Sequence, residues 1–584
     1  MNDKFIIYQL LLRVFGNTND KCISNGSFQL NTSGKFSSIT LPILQKIREL
    51  NVTHVWYTGI IEHATKTDFT KYGIKKDNPA IVKGEAGSPY AIKDYYDVNP
   101  YLADNISNRM AEFESLLERT HKSGLKVIID FVPNHLARCY NSDSLPVGIE
   151  NFGATDNPYN TIKGGSFGFN PNNNFYYLPD SKLNLSPNYI EFPAKVTGND
   201  CFTASPTIND WYETIKLNYG IDYCGGAKKY FNPIPKTWSM ILQILQFWSA
   251  KGIDGFRCDM AEMVPVEFWK WAIDELKKEY PKILFIAEVY NPMLYNSYLQ
   301  YGGFDYLYDK VGLYDNLKAI TKGYAAASSI TGNWQALGDM QNSMLNFLEN
   351  HDEQRIASDF NIGNPFKAIP QLVVSLMLNR APFMLYFGQE FGEKGMLQEG
   401  FSGIDGRTSI FDYCSAPSTV RFLSSLITPS KTKLLPQENE LYKIYTKLFS
   451  ITMGEKAIKN GDTYDLEYAN LNNSLFNSAT QFVFARRTRK SITNITAPDE
   501  LIIIAVDFSV VYNNSGSFSS INNHLQISVN LPKHFFNFWN IISGKQYKCV
   551  DLLDNTSYST ILTSDSIFNI KICHYGVGIV KIVL

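Results

Sequence analysis

Three carboxylates stand where apolar runs end. Asp259 closes 252–259 (GIDGFRCD), Glu288 closes 285–288 (FIAE) and Asp352 closes 347–352 (FLENHD). A fourth run, 127–135 (VIIDFVPNH), carries Asp130, Asn134 and His135. Acidic groups presented by three separate strand ends match what glycosidic bond cleavage requires. One attacks the anomeric carbon, one shuttles a proton and one holds the sugar while it is cationic.

Neighbouring residues refine these roles. Arg257 and Asp259 are two apart, so on a strand they share a face. A guanidinium beside a carboxylate keeps it ionised, as a nucleophile needs; the same pair also reads as a structural salt bridge. Glu288 follows Phe285, Ile286 and Ala287. Such a dry approach raises a carboxyl pKa and suits a proton donor, although an ordinary Glu at a strand end has the same look. His351 beside Asp352 can hold sugar hydroxyls, or the two form a satisfied polar turn. His135, presented by the turn that Pro133 fixes, is a hydroxyl binder or a structural imidazole. Asp130 lies within its run and reads as a partner for Arg257 rather than a reactant.

These residues need a frame that brings distant strand ends together. Strand patterns at 5–14, 52–58 and 127–131 alternate with helical spacing at 41–50 and 110–121. The alternation resumes with helices at 238–250 and 265–280 and strands at 254–258, 283–287, 304–308, 343–348 and 383–387, with helical spacing at 368–378. Eight strands alternating with helices predict an α/β fold, a (β/α)8 barrel with catalytic groups at the C-terminal strand ends. A last barrel helix is expected at 440–452.

Between 136 and 236 the rhythm stops, and Asn, Gly, Pro, Tyr and Ser dominate. A loop of this length inside a barrel is functional or a small domain of its own. After 456 short β-type runs (482–485, 501–508, 525–531 and 567–572) predict an all-β sandwich. The expected organisation is therefore a barrel from 1–135 and 237–455, an inserted domain at 136–236 and a C-terminal domain at 456–584. The Asn/Ser-rich stretch 513–523 is expected to be a mobile loop. Phe535, Phe536 and Trp539 read as exposed rings that either bind sugar or pack on the barrel.

The bulk properties exclude some functions. A net charge of −2 over 584 residues offers no phosphate-neutralising patch, and no GxGxxG or P-loop points to a nucleotide. No run of about 18 apolar residues predicts a membrane span. The eight cysteines are scattered without CxxC spacing and read as reduced thiols. The N-terminal run is broken by Tyr8 and Gln9 and makes a poor signal peptide, so a cytoplasmic location is expected.

Taken together, the four segments resemble the signature regions of the α-amylase family of glycoside hydrolases: VIIDFVPNH the first, GIDGFRCDM the second, FIAEV the third and FLENHD the fourth. The stretch 88–100 (SPYAIKDYYDVNP) and 387–392 (FGQEFG) resemble further parts of that family. The resemblance implies that Asp259 is the nucleophile, Glu288 the acid/base and Asp352 the transition-state stabiliser. It implies that Arg257 partners the nucleophile, that His135 and His351 bind hydroxyls and that Tyr90 stacks on the sugar. Asn134 matches a calcium ligand, while the chemistry itself requires no cofactor. Many members carry Lys-His three and four residues past the nucleophile, where this chain has Glu262 and Met263; both the sugar contact and the calcium contact made there stay open. Ala287 replaces a usual Gly. The expected activity is retaining hydrolysis of α-1,4-glucosidic bonds in starch, glycogen or maltooligosaccharides. A glucanotransferase or branching enzyme on the same scaffold, and a non-catalytic α-glucan-binding protein, are the alternatives.

Overall fold

Eight short strands lie parallel and close on themselves in chain order: β1 (Ile6–Leu11), β2 (His54–Thr58), β3 (Lys126–Phe131), β4 (Gly255–Cys258), β5 (Leu284–Ala287), β6 (Tyr306–Tyr308), β7 (Met344–Phe347) and β8 (Phe383–Tyr386). This computed structural model describes residues 4–160, 167–395, 400–427, 433–488, 500–510 and 526–584; the stretch 513–523 lies outside them. Helices Leu41–Glu49, Arg109–Lys122, Lys236–Ala250, Val266–Glu279, Ile369–Met377 and Pro436–Gly454 flank the barrel. β1 ends at Leu11, and Leu12–Phe15 turn into a short helix. The expectation of a strand to residue 14 fails here because an apolar run buried on all sides carries no periodicity that separates strand from helix.

Strand alternation divides the barrel residues between two cores. Ile7, Trp56, Ile128, Ile286, Leu345, Phe347 and Met384 fill the interior. Their sequence neighbours, such as Tyr8, Val55, Ile129 and Phe285, pack outward with the helices. The register then sets the heights of the polar residues. Arg257 lies beside Asp130 on one neighbour and Ile286 on the other. The ladder runs one residue past each strand: Asp259 N–H donates to Phe131 O (2.9 Å) and Glu288 N–H to Cys258 O (3.1 Å). Two acidic residues from separate strands are thereby fixed by backbone bonds at the same end of the barrel.

The described residues of 136–236 form short antiparallel strand pairs over a small core of Phe167, Phe169, Tyr176, Leu178 and Val196. An antiparallel pair joins His135–Ala137 to Thr214–Lys216, so the far end of the insert is laced directly onto the end of β3. The C-terminal region contains a six-stranded sheet and a two-stranded sheet. Alternation is clear there as well. Phe482, Phe484, Ile502 and Ile504 face the barrel, whereas Val483, Ala485, Leu501 and Ile503 face the small sheet. Among the described residues no helix is long and apolar enough to cross a membrane.

Phe535, Phe536 and Trp539 are not exposed. They sit on a helix, Lys533–Trp539, and are 0, 3 and 8 % accessible in the core between the two sheets. Their spacing places them on one helical face, which the surrounding β-type runs concealed. Phe535→Ala is expected to cost about 3–5 kcal/mol, read as a clear drop in the thermal unfolding midpoint. An unchanged midpoint would return these rings to a surface role.

Candidate active site

At the C-terminal mouth of the barrel the inward face of the strands turns from apolar to polar. One step above Ile7, Trp56 and Ile128 come Gln9, Thr58 and Asp130, and beside them Arg257. All four polar residues are buried. Arg257 is wholly buried and ties the group together. One of its terminal nitrogens lies 2.8 Å from Asp259 Oδ1 and 3.5 Å from Asp130 Oδ1, and the other lies 2.7 Å from Glu288 Oε2. Its Nε donates to the Tyr308 hydroxyl at 3.0 Å. The rings of Trp56, Tyr90 and Tyr308 surround the guanidinium at 5.4 Å, a favourable setting for a buried cation. Asp130 is the expected partner, and Trp56 Nε1 (2.9 Å) and the Tyr90 hydroxyl (3.2 Å) also donate to it.

One electrostatic expectation needs correction. Burial, followed by the nearby Glu288 and Asp352, pushes the Asp259 carboxyl well above the usual range, against the pull of Arg257. The guanidinium beside it does not outweigh its surroundings, because it is shared. Glu288 is buried, and both of its oxygens are engaged. Its Oε2 accepts from Met260 N–H (2.8 Å), and the Tyr290 hydroxyl donates to Oε1. Met260 holds a left-handed backbone (φ 44°) to aim that amide, a conformation that costs a non-glycine residue about 1–2 kcal/mol.

Asp352 stands at the rim, with 42 % of its side chain exposed. Its loop is shaped by the Asn350 side chain, which accepts from the Asp352 and Glu353 amides (2.8 and 2.9 Å). Burial acts to raise the Asp352 pKa, but His351, 3.0 Å away, and more distant arginines hold it at about 2. His351 is fixed from the opposite side by Gln9 (2.8 Å) and is stacked by Tyr90, whose hydroxyl touches its Nε2. His135 is buried, and burial with the nearby Lys216 charge lowers its pKa to about 3. A neutral imidazole 4.0 Å from Asp259 can both donate to and accept from a hydroxyl.

A cavity of about 270 Å³ opens over these groups. Tyr90, His135, Asp259, Glu288 and Asp352 line it; Arg257 and His351 lie behind the wall, where they hold the carboxylates. Its other walls were not anticipated. Tyr290 is two residues beyond Glu288, and that spacing was a usable signal. Trp211, which packs on His135 at 5.1 Å, and the ion pair of Lys83 with Glu213 (3.0 Å) come from irregular segments that carry no such signal.

Asn134 lies apart, at the junction with the insert. Its Oδ1 accepts from the buried Lys216 Nζ at 3.0 Å, and the same ammonium is 2.6 Å from Asp200 Oδ1. Its amide donates to Gly198 O (2.8 Å). An ammonium held between Asn134 and Asp200 fills the position of a cation, so these residues do not fit a calcium ion.

Comparison with known proteins places the chain in a family. The profile of the α-amylase catalytic domain matches residues 9–421. α-Amylase 3 of Dictyoglomus thermophilum is 25 % identical over 399 residues, covering 64 % of this chain and 68 % of that protein. Cyclomaltodextrin glucanotransferase of Geobacillus stearothermophilus is 21 % identical over 479 residues, covering 78 % of this chain and 55 % of that protein. The fold matches the crystal structure of an α-amylase from Geobacillus thermoleovorans complexed with acarbose, with a TM-score of 0.60 at 16 % identity, over 99 % of this chain and 98 % of that one. A catalytic-domain match over more than half of its length makes the chain a member of the α-amylase family of glycoside hydrolases.

Proposed function

We infer that the protein hydrolyses α-1,4-glucosidic bonds of starch, glycogen or maltooligosaccharides with retention of configuration. The observation that carries this reading is the pair Asp259 and Glu288, held on one guanidinium at the floor of a cavity with Asp352 at its rim. Asp259 attacks the anomeric carbon as Glu288 protonates the leaving oxygen, which gives a covalent glycosyl-enzyme. Glu288 then takes a proton from water, which attacks the same carbon and releases the sugar. Asp352, held ionised, offers a full negative charge to the sugar ring while it is cationic. Tyr90 and His135, which line the cavity, supply contacts to sugar hydroxyls, while His351 behind them holds Asp352. The scattered cysteines, with no CxxC spacing among them, fit a reducing, cytoplasmic setting.

Asp259→Asn and Glu288→Gln are each expected to lower starch turnover by roughly three orders of magnitude or more. A maltosyl fluoride separates the two roles, because its leaving group needs no proton. Glu288→Gln should form the glycosyl-enzyme rapidly from it, and Asp259→Asn should not. Near-normal starch hydrolysis by Asp259→Asn would remove the assignment.

The likeness to a cyclomaltodextrin glucanotransferase supports a second reading, transfer to a sugar acceptor. Both share the first half of the reaction. Maltoheptaose as sole substrate distinguishes them: hydrolysis gives only shorter chains, whereas products longer than seven units or cyclic products mean transfer.

Calcium is not part of this reading at Asn134, because Lys216 serves there as the cation. Lys216→Met leaves Asn134 and Asp200 without it and is expected to cost about 2 kcal/mol, less than a fully buried pair because Asp200 is partly exposed. Asn134→Ala is expected to leave the amount of calcium bound per chain unchanged; a fall measured by calorimetric titration would restore Asn134 as a ligand.

A further inference from the structure

A second cluster of acids lies away from the cavity, where the hairpin after β2 meets the start of the insert. The hairpin pairs Ile61–His63 with Ile92–Val98, and its register sets Glu62 directly opposite Asp94. Both are buried, at 1 and 0 % accessible. Like charges facing each other across two strands are destabilising, and burial away from water raises the cost. Asp143, from the insert, keeps 16 % of its side chain exposed and completes the group. One carboxylate oxygen from each of the three residues lies within 4.8 Å of the others.

The nearby cations do not balance them. Lys93 Nζ lies 3.8 Å from Glu62 but 3.1 Å from Asp77, and it also donates to Lys75 O. Arg109 pairs with Asp97 and is 3.6 Å from Asp143. Five carboxylates thus face two cations. Asp94 already accepts from the amides of Tyr96, Asp143 and Ser144 (2.8, 2.9 and 3.0 Å), which fixes its oxygens in place. Glu62 Oε2 is buried and accepts no hydrogen bond. The Tyr140 hydroxyl, which feels the Asp94 charge, is also buried and without a partner.

We propose that Glu62, Asp94 and Asp143 bind a hard divalent cation of the calcium class, which ties the root of the insert to the barrel hairpin. Calcium–oxygen distances of about 2.3–2.6 Å put ligand oxygens on opposite sides of the ion about 5 Å apart, so oxygens within 4.8 Å of one another suit a single ion. The ion supplies the missing positive charge and gives Glu62 Oε2 a partner. Asp143 leaves a path to solvent, from which water completes the shell.

Protein stripped with EDTA and dialysed is titrated with calcium chloride by calorimetry, with thermal unfolding followed in parallel. The expected result is about one calcium per chain and a higher unfolding midpoint, with binding at least about tenfold weaker in Glu62→Gln and in Asp143→Asn. Asp143 keeps 16 % of its side chain exposed, against 2 % for Glu62, so Asp143→Asn is the milder replacement and carries the test where Glu62→Gln disturbs the fold. Without calcium, Glu62→Gln should be the more stable protein, since it relieves the facing charges. No binding by the unaltered protein, or full binding by Asp143→Asn, overturns the proposal.

Discussion

One guanidinium, wholly enclosed at the mouth of the barrel, is the constraint on which the site depends. A lone buried charge costs several kcal/mol, so Arg257 must be met by carboxylates, and the closed barrel provides them from adjacent strands. Asp130 arrives through the register of β3 and β4, Asp259 from the end of β4, and Glu288 from the end of β5. Because the cation is shared, it neutralises none of them completely. Burial therefore raises Asp130 and Asp259, and Arg257 pulls against that rise in both.

Asp352 completes the balance by standing outside this group. It touches His351 rather than Arg257. Its charge is thus free to act across the cavity. The rigid support beneath it is built from distant pieces of chain: Gln9 of β1 fixes His351, and Tyr90 stacks on it. A transition state that gains positive charge on the ring is met by a carboxylate held in place before the reaction starts.

Much of this could be read from the sequence. The eight strands, the polar strand ends and the Arg257–Asp130 partnership follow from alternation and spacing. Gln9, Trp56 and Tyr308 escaped because period 2 tells which face a residue takes but not what lies across the barrel. Trp211, Lys83 and Glu213 come from loops whose shape is set by tertiary contacts alone. The helix of Phe535, Phe536 and Trp539 was hidden in a segment whose flanks are all strand. Lys216 escaped for another reason. A lysine in a loop-rich segment reads as solvated, and only the pairing of His135–Ala137 with Thr214–Lys216 turns its ammonium toward Asn134.

Excess negative charge recurs at three places where the insert meets the barrel, and the physical answer differs at each. At Asn134 and Asp200 a lysine supplied by the chain cancels it permanently, which suits a joint that only has to hold. At Glu62, Asp94 and Asp143 the chain supplies too few cations, and a bound metal ion is the remaining way to offset facing buried carboxylates without protonating them. At Asp259, Glu288 and Asp352 the shortfall has to persist. A lysine or a resident ion there would neutralise the acids that the sugar cation needs, and it would fill the cavity as well. The shared, enclosed Arg257 holds the acids in position while leaving the surplus charge available to a cation that exists only during reaction.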